Sequence, residues 1–145
     1  MAISGFFNIL KILLYTGMRI NELLNLKIVD IDLKERIIRI NKSKTKNGIR
    51  IIPIHKDIID ILIDYSSNNN VYLLEKNNKR IEYMNFYKQF KRRFKNHTIH
   101  ETRHTFITRC KECGVDLHII KLLIGHASKD LTLDIYTHID IYLDT

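Results

Sequence analysis

An arginine near the start of the chain stands where it could grip a phosphate group. Arg19 follows the Thr16-Gly17 break, at the predicted start of a short helix, and Glu22 is three residues further on. Residues three apart share one helix face, so the carboxylate could hold the guanidinium as a rigid fork for phosphate oxygens. Taken alone, the pair is more typical of an ordinary surface ion pair.

Two histidines and a second arginine favour the same target. His100 and Arg103 are one helical turn apart, and together they could stabilise the extra negative charge of a phosphate in a transition state. His126 directly follows Gly125, which ends an apolar helix, and its ring could bond a non-bridging phosphate oxygen. A polar first helix turn and a helix C-cap are the ordinary alternatives for these positions.

Two more residues could supply a proton and a nucleophile. Lys44 lies in the basic segment SKTKNG, whose Asn-Gly step is a strong turn signal, and a lysine there could protonate a leaving alkoxide. Lys42 and Lys46 are alternatives for that role. The hydroxyl of Tyr136 could attack a phosphate, although a tyrosine among apolar residues is normally part of the core.

Taken in chain order, these residues resemble the site of one enzyme family. The stretches TGMRINELLNL, SKTKNG, HETRHTFITRC, LLIGHAS and LTLDIYTHI are similar to the motifs of the tyrosine recombinases, the phage and transposon integrases. The resemblance implies that Tyr136 attacks a DNA phosphate and forms a 3′-phosphotyrosyl intermediate, without a metal or a cofactor. The catalytic residues that it implies are Arg19, Glu22, Lys44, His100, Arg103, His126 and Tyr136.

Two features depart from the family pattern. Thr102 stands directly before Arg103, where the family usually has leucine, and this change affects packing and not a catalytic group. Integrases generally carry one or two DNA-binding domains before the catalytic one. We expect residues 1–145 to form the catalytic domain alone, without core-binding or arm-binding domains, as a truncated protein or the remnant of a longer one.

The apolar pattern predicts an α+β domain that is mostly helical, with a small antiparallel sheet in the N-terminal third. The sheet would present the Lys44 segment at its tip. The type of the apolar run Val71–Leu74 stays open. The predicted strands are Val29–Leu33, Arg36–Asn41 and Ile49–Ile54. Helices are predicted over residues 4–15, around Ile20–Leu26, over Asp57–Tyr65 and Glu82–Lys95, and over most of the remaining chain.

The charge of the chain favours a polyanionic partner. The sequence has 24 Lys and Arg against 16 Asp and Glu, a formal net charge of +8, and double-stranded DNA is the partner that this balance suggests first. For each candidate DNA contact, a solvated helix face is an equally good interpretation. The candidate contacts are Lys42, Lys46, Arg80, Lys88, Lys91 and Arg92.

Other classes of site and location have less support in the sequence. The apolar stretch Phe6–Tyr15 is too short to span a bilayer, so no membrane partner is expected. We expect a cytoplasmic location, associated with the nucleoid. Cys110 and Cys113 form a lone CxxC without two further ligands at suitable spacing, so reduced thiols are favoured over zinc.

Three other functions remain open at this point. One is a type IB topoisomerase-like enzyme, which would use the same chemistry to relax DNA. A second is a non-catalytic or decayed DNA-binding relative, and a third is a plain helical binding module. The family resemblance also implies other recombinase subunits on DNA, with the tail after Tyr136 packed on a neighbour, although a tail packed on its own subunit explains the sequence nearly as well.

Overall fold

The fold begins with a helix that a periodic row of apolar side chains buries. In the computed structural model, which describes residues 5–41 and 48–126, helix α1 covers Phe6–Thr16 and ends at Gly17 in the left-handed conformation. Apolar residues every three to four positions give it one core-facing stripe. The other helices are α2 (Ile20–Leu24), α3 (Lys56–Ser66), α4 (Tyr83–Arg93), α5 (Glu101–Glu112) and α6 (Leu117–Ile124).

A three-stranded antiparallel sheet lies between α2 and α3 in the chain. Its order is β1 (Ile31–Asp32), β2 (Ile37–Ile40) and β3 (Arg50–Pro53), and buried Ile38 pairs with Ile52. The mostly helical α+β fold with a small sheet is therefore confirmed. The predicted segment 42–47, which connects β2 and β3 and contains Lys42, Lys44 and Lys46, lies outside the described residues.

The strands are shorter than the apolar runs predicted. Ile28–Asp30 forms a 3-10 turn where the first strand was expected, so β1 has two residues. Arg36 has a φ of 56°, which is incompatible with extended backbone, and β2 therefore begins at Ile37. Isoleucine-rich runs predict burial well. They predict the first residue of a strand poorly, because turn residues can be apolar as well.

The sequence prediction missed a second, very short hairpin. Strands β4 (Glu75–Lys76) and β5 (Lys79–Arg80) pair antiparallel, and Asn77 and Asn78 between them have φ values of 55° and 61°. A two-residue hairpin turn with two positive φ angles favours asparagine, which tolerates this conformation. The Asn-Asn step was thus the available signal.

Buried side chains form two apolar clusters. The larger one joins α1, α2, the sheet, α3 and α4, and the smaller one joins α5 and α6. Helix α1 packs against α5, and α6 packs against both β3 and α5. These contacts bring the end of α1, the start of α2 and the end of α6 to one region. None of the helices in the described ranges has the length and apolar character that crossing a bilayer requires.

Substitution of Gly17 by alanine is expected to lower the free energy of unfolding by about 2–4 kcal/mol, from left-handed strain and overpacking. Gly17 has a φ of +67°, and an added Cβ would lie 2.4 Å from Cδ1 of Phe106. Urea denaturation followed by circular dichroism measures the change.

The matched control is Gly114→Ala. Gly114 has a φ of +78°, but an added Cβ there meets nothing within 4 Å, so only the backbone strain of about 1–2 kcal/mol applies. Equal losses for the two variants would contradict a specific clash between position 17 and Phe106.

Candidate functional site

Arg103 lies at the centre of the region where α1, α2 and α6 meet. The residue is 2% exposed, its Nη1 donates to the carbonyl of Gly17 at 2.9 Å, and its Nη2 donates to the carbonyl of Ile124. These carbonyls belong to helix ends, where backbone acceptors have no partner within the helix. The guanidinium therefore joins the end of α1 to the end of α6 and keeps further N–H donors for another acceptor.

The end of α6 fixes the position of His126. Gly125 adopts the left-handed conformation with a φ of 78°, its N–H bonds the Leu122 carbonyl, and the N–H of His126 bonds the Lys121 carbonyl at 2.8 Å. This pair of bonds is a Schellman motif, and the glycine lets the chain reverse without a Cβ clash. As a result His126 Nε2 lies 3.4 Å from Nη2 of Arg103.

Burial and the positive charges gathered in this region lower the pKa values of Arg103 and His126. Burial, followed by the charges of Arg19 and Arg50, lowers the pKa of Arg103 to about 10, so its guanidinium remains protonated at neutral pH. Partial burial and the charges of Arg103 and Arg19 lower the pKa of His126. Its ring is therefore mainly neutral at pH 7, with one donor and one acceptor nitrogen.

Arg19 stands at the N-terminus of α2, and its side chain is 41% exposed. Its backbone N–H donates to Oε1 of Glu22 at 2.9 Å, so the glutamate satisfies the N-cap backbone donor at the start of the helix, whereas the Arg19 side chain has no acceptor with which to cap it. The Arg19 guanidinium lies 3.8 Å from the same carboxylate, an ion pair without a close hydrogen bond. Glu22 therefore bonds the backbone of Arg19, and the two side chains form the i,i+3 ion pair that was the ordinary alternative rather than a close fork.

The guanidinium that Glu22 holds as a fork is that of Arg50. Nη1 of Arg50 donates to Oε2 of Glu22 at 2.7 Å, and Nη2 donates to Oε1 at 3.0 Å. Burial alone would raise the pKa of the Glu22 carboxyl, but the hydrogen bonds and charge of Arg50 bring it below its ordinary value. The sequence analysis missed Arg50, which resembles an outward-facing residue of a strand.

His100 caps the N-terminus of α5 and is exposed. Partial desolvation, followed by the charges of His104, Arg103 and Arg19, lowers its pKa. The charge of Arg19 acts on His100, Arg103 and His126 alike, so these predicted residues converge with Arg19 in one region. A region with two permanent cations and two neutral imidazoles is suited to bind a phosphate and to exchange protons beside it.

The remaining predicted residues are not placed in this region by the structure. Lys42, Lys44, Lys46 and Tyr136 lie outside the described residues. Arg80 on β5 bonds Oδ1 of Asn25 and lies over the Tyr72 ring. On α4, Lys88 is exposed, Lys91 donates to the carbonyls of Lys95 and His97, and Arg92 donates to Oε1 of Gln89.

The structure offers little for a metal ion. Across residues 5–41 and 48–126, no three His, Cys, Asp or Glu side chains are grouped so that they could hold one. Cys110 is buried and Cys113 is exposed, and neither forms a disulfide. They line an apolar cleft of about 80 Å³ beside α5, together with Tyr15, His55 and Arg109.

The comparison with known proteins agrees with this geometry. A family model described as the phage integrase family matches residues 7–141. The chain belongs to the phage integrase family. The resemblance inferred from the motifs around Arg19, Arg103 and Tyr136 is therefore confirmed at the level of the family.

Individual members of the phage integrase family are similar over most of this chain. Tyrosine recombinase XerD of Staphylococcus haemolyticus is 31% identical over 90% of the chain and 49% of its own length. Tyrosine recombinase XerA of Pyrococcus horikoshii is 34% identical over 90% of the chain and 49% of its length. The crystal structure of XerH site-specific recombinase bound to its difH substrate, a pre-cleavage complex, has a TM-score of 0.68 and 28% identity, and the match covers 95% of this chain and 45% of that one. The chain thus spans about half the length of the relatives it matches.

Proposed function

We propose that residues 1–145 form the catalytic domain of a site-specific DNA recombinase or integrase, of a phage, transposon or other mobile element, which cleaves and rejoins DNA through a 3′-phosphotyrosyl intermediate. The observation that carries the proposal is the convergence of Arg19, Arg103 and His126, with Nη2 of Arg103 3.4 Å from Nε2 of His126. Membership of the family and the likeness to XerH, a site-specific recombinase bound to difH substrate, support it.

The proposed site acts by stabilising charge on a phosphate. Attack on a phosphodiester spreads additional negative charge over its equatorial oxygens. Arg19 and Arg103 would each donate N–H groups to those oxygens, and His126 would donate from its neutral ring. Because the carbonyls of Gly17 and Ile124 already hold Arg103 in place, little reorganisation is needed when the charge develops.

In the proposed reaction the Tyr136 oxygen attacks phosphorus and the bond from phosphorus to the 5′ oxygen breaks. The phenol proton passes to His100, whose lowered pKa leaves it neutral and able to accept it. Lys44 gives a proton to the departing 5′ oxygen. A second DNA 5′-hydroxyl then attacks the phosphotyrosine, so one phosphate ester replaces another without hydrolysis.

The proposal is tested by trapping a covalent adduct on a duplex nicked beside the scissile phosphate. The short 5′-hydroxyl fragment that is released diffuses away, so the rejoining step is blocked and the adduct accumulates. Candidate duplexes come from a pool with randomised sequence, and mass spectrometry maps the modified residue to Tyr136. Adduct formation on any other residue, or none across the pool, would sink the proposed function.

Adduct trapping, together with a plasmid-relaxation assay and a strand-exchange assay, separates the rival functions. A decayed, non-catalytic relative or a plain helical binding module would form no adduct, whether or not it binds DNA. A type IB topoisomerase-like enzyme would form the adduct and relax supercoiled plasmid without joining one duplex to another. Strand exchange between two labelled duplexes therefore decides in favour of a recombinase.

We infer that several surface cations contact the DNA backbone. Lys88 is exposed on α4, whereas Lys91 already donates to two carbonyls at the end of that helix. The other inferred contacts are Lys42, Lys46, Arg80, Lys91 and Arg92. Action on DNA also suggests a cytoplasmic location on the nucleoid, with further recombinase subunits bound on the same DNA and the tail after Tyr136 as a possible contact between them.

Lys88→Ala is expected to weaken DNA binding and to reduce the slope of log affinity against log salt by about one, the loss of a single phosphate contact. Fluorescence anisotropy of a labelled duplex over a salt series measures the slope. Lys88→Arg keeps the charge and is the matched control, for which the slope should stay unchanged. An unchanged slope for the alanine variant would exclude Lys88 from the DNA interface.

A further inference from the structure

Arg50 spends almost all of its hydrogen-bonding capacity inside the protein. Its side chain is 3% exposed. Nε donates to the Leu123 carbonyl at 2.6 Å, Nη1 donates to Glu22 and to the Gly48 carbonyl at 2.8 Å, and Nη2 donates to Glu22. Four of the five N–H groups of a guanidinium are thus occupied. A side chain so enclosed does not itself contact a bound phosphate, but it can hold the groups that do.

Two of the three partners of Arg50, Glu22 and Leu123, lie next to residues of the proposed site. Oε1 of Glu22 also accepts the backbone N–H of Arg19. Leu123 precedes Ile124, whose carbonyl binds Arg103, and stands three residues before His126. One guanidinium on β3 therefore connects the start of α2 to the end of α6, and α6 packs on β3 where this occurs.

The chemistry of the contact favours a role beyond stability. Burying an arginine and a glutamate requires the removal of water from two charges, and apolar residues of similar volume commonly stabilise a fold as well or better. An apolar residue at position 50, however, could not donate to the Leu123 carbonyl, which lies in the last turn of α6 where helix carbonyls lack partners. The charged pair thus fixes directions that apolar packing would leave free.

We propose that Arg50 is a positioning residue, which holds the end of α6 and the start of α2 so that His126 and Arg19 face the same phosphate. This inference rests on the proposed function. The guanidinium sets the separation of the two helix ends through one carboxylate and one carbonyl. Substrate specificity and DNA affinity would depend little on Arg50, because the residue does not reach the surface.

The test uses the full chain with Arg50→Met and Glu22→Gln combined. This double variant removes both charges together, so neither is left buried and unpaired, and the glutamine oxygen can still accept the Arg19 N–H. The matched control, Arg39→Met with Asp32→Asn, removes a half-exposed ion pair in the same sheet, in which the two groups are 3.5 Å apart. Urea denaturation first establishes that both proteins are folded under the assay conditions.

Two measurements follow on each protein. We expect amide hydrogen exchange over residues 122–126 to become about tenfold faster in the Arg50 variant, because a charge-assisted anchor is lost. We expect the single-turnover rate of adduct formation at saturating DNA to fall about 100-fold, the scale for a displaced catalytic group, with DNA affinity unchanged. The Arg39 variant should match the wild type in both.

The results of these two measurements distinguish a positioning role from a purely structural one. Faster exchange together with slower cleavage at saturating DNA supports the positioning role, because a purely structural effect would lower the fraction of folded protein and not the rate of the bound, folded enzyme. Unchanged exchange, or unchanged cleavage despite faster exchange, overturns this inference alone and leaves the proposed function intact. A wild-type chain that forms no adduct overturns both.

Discussion

Replacing Tyr136 with phenylalanine is expected to abolish covalent attachment to DNA while leaving DNA binding nearly unchanged. The substitution removes one oxygen atom, and that atom is the proposed nucleophile, so no phosphotyrosyl bond can form. The aromatic ring itself is kept. The measurement is the yield of protein–DNA adduct on a nicked duplex, resolved by denaturing electrophoresis, alongside the dissociation constant from anisotropy.

The tail of the chain provides its own control for this experiment. Tyr142 lies six residues after Tyr136 in the same segment, and Tyr142→Phe removes the same atom from a neighbouring position. The Tyr142 variant should retain wild-type adduct yield. Adduct formation by the Tyr136 variant, or its loss only in the Tyr142 variant, would assign the nucleophile elsewhere.

Arg103→Ala is expected to lower the single-turnover cleavage rate by about a thousandfold, equivalent to about 4 kcal/mol of lost transition-state stabilisation. The guanidinium is buried, close to His126 and charged at neutral pH, so its donors are strong and already oriented. Stability should fall too, by about 1–3 kcal/mol for each buried acceptor left without its donor, namely the carbonyls of Gly17 and Ile124.

Two further variants separate catalysis from folding in this case. Arg103→Lys keeps the charge but cannot bond both carbonyls at once as the planar guanidinium does, and a loss of about 100-fold is expected from the misplaced cation. Arg109→Ala removes an arginine from the same helix, where it lies over the ring of Tyr15, and should leave cleavage at the wild-type rate. A mild effect of the alanine substitution at Arg103 would remove that residue from contact with the phosphate.

The parts of the fold that sequence predicts best are those whose residues repeat with a local period. Apolar residues in α1 and α3 recur every three to four positions, and both helices lie where their spacing placed them. The Gly17 and Gly125 breaks marked helix ends because glycine adopts the left-handed conformation there. The hairpin of β4 and β5 was missed because four residues are too few to display any period.

Some residues of the candidate site can be recognised from neighbouring sequence, and others only from contacts between distant parts of the chain. Arg103 and His126 could be predicted as site residues because each belongs to a short sequence motif of neighbouring residues. Nothing local distinguishes Arg50 from an exposed strand residue, since its burial comes from Leu123, 73 residues away in the chain. The fork between Glu22 and Arg50, 28 residues apart, was assigned to Arg19 for the same reason: only the tertiary fold reveals the nearer partner.

The hydrogen bonds of Arg103 join residues that are far apart in the sequence, and this has a consequence during folding. The guanidinium joins carbonyls 86 residues before it and 21 residues after it, and closing such loops requires most of the chain to be in place. A nascent or partly unfolded chain therefore carries its arginines and histidines dispersed, without a concentrated pocket of charge. The proposed DNA cleavage would therefore appear only at the end of folding and would be the first property lost on unfolding.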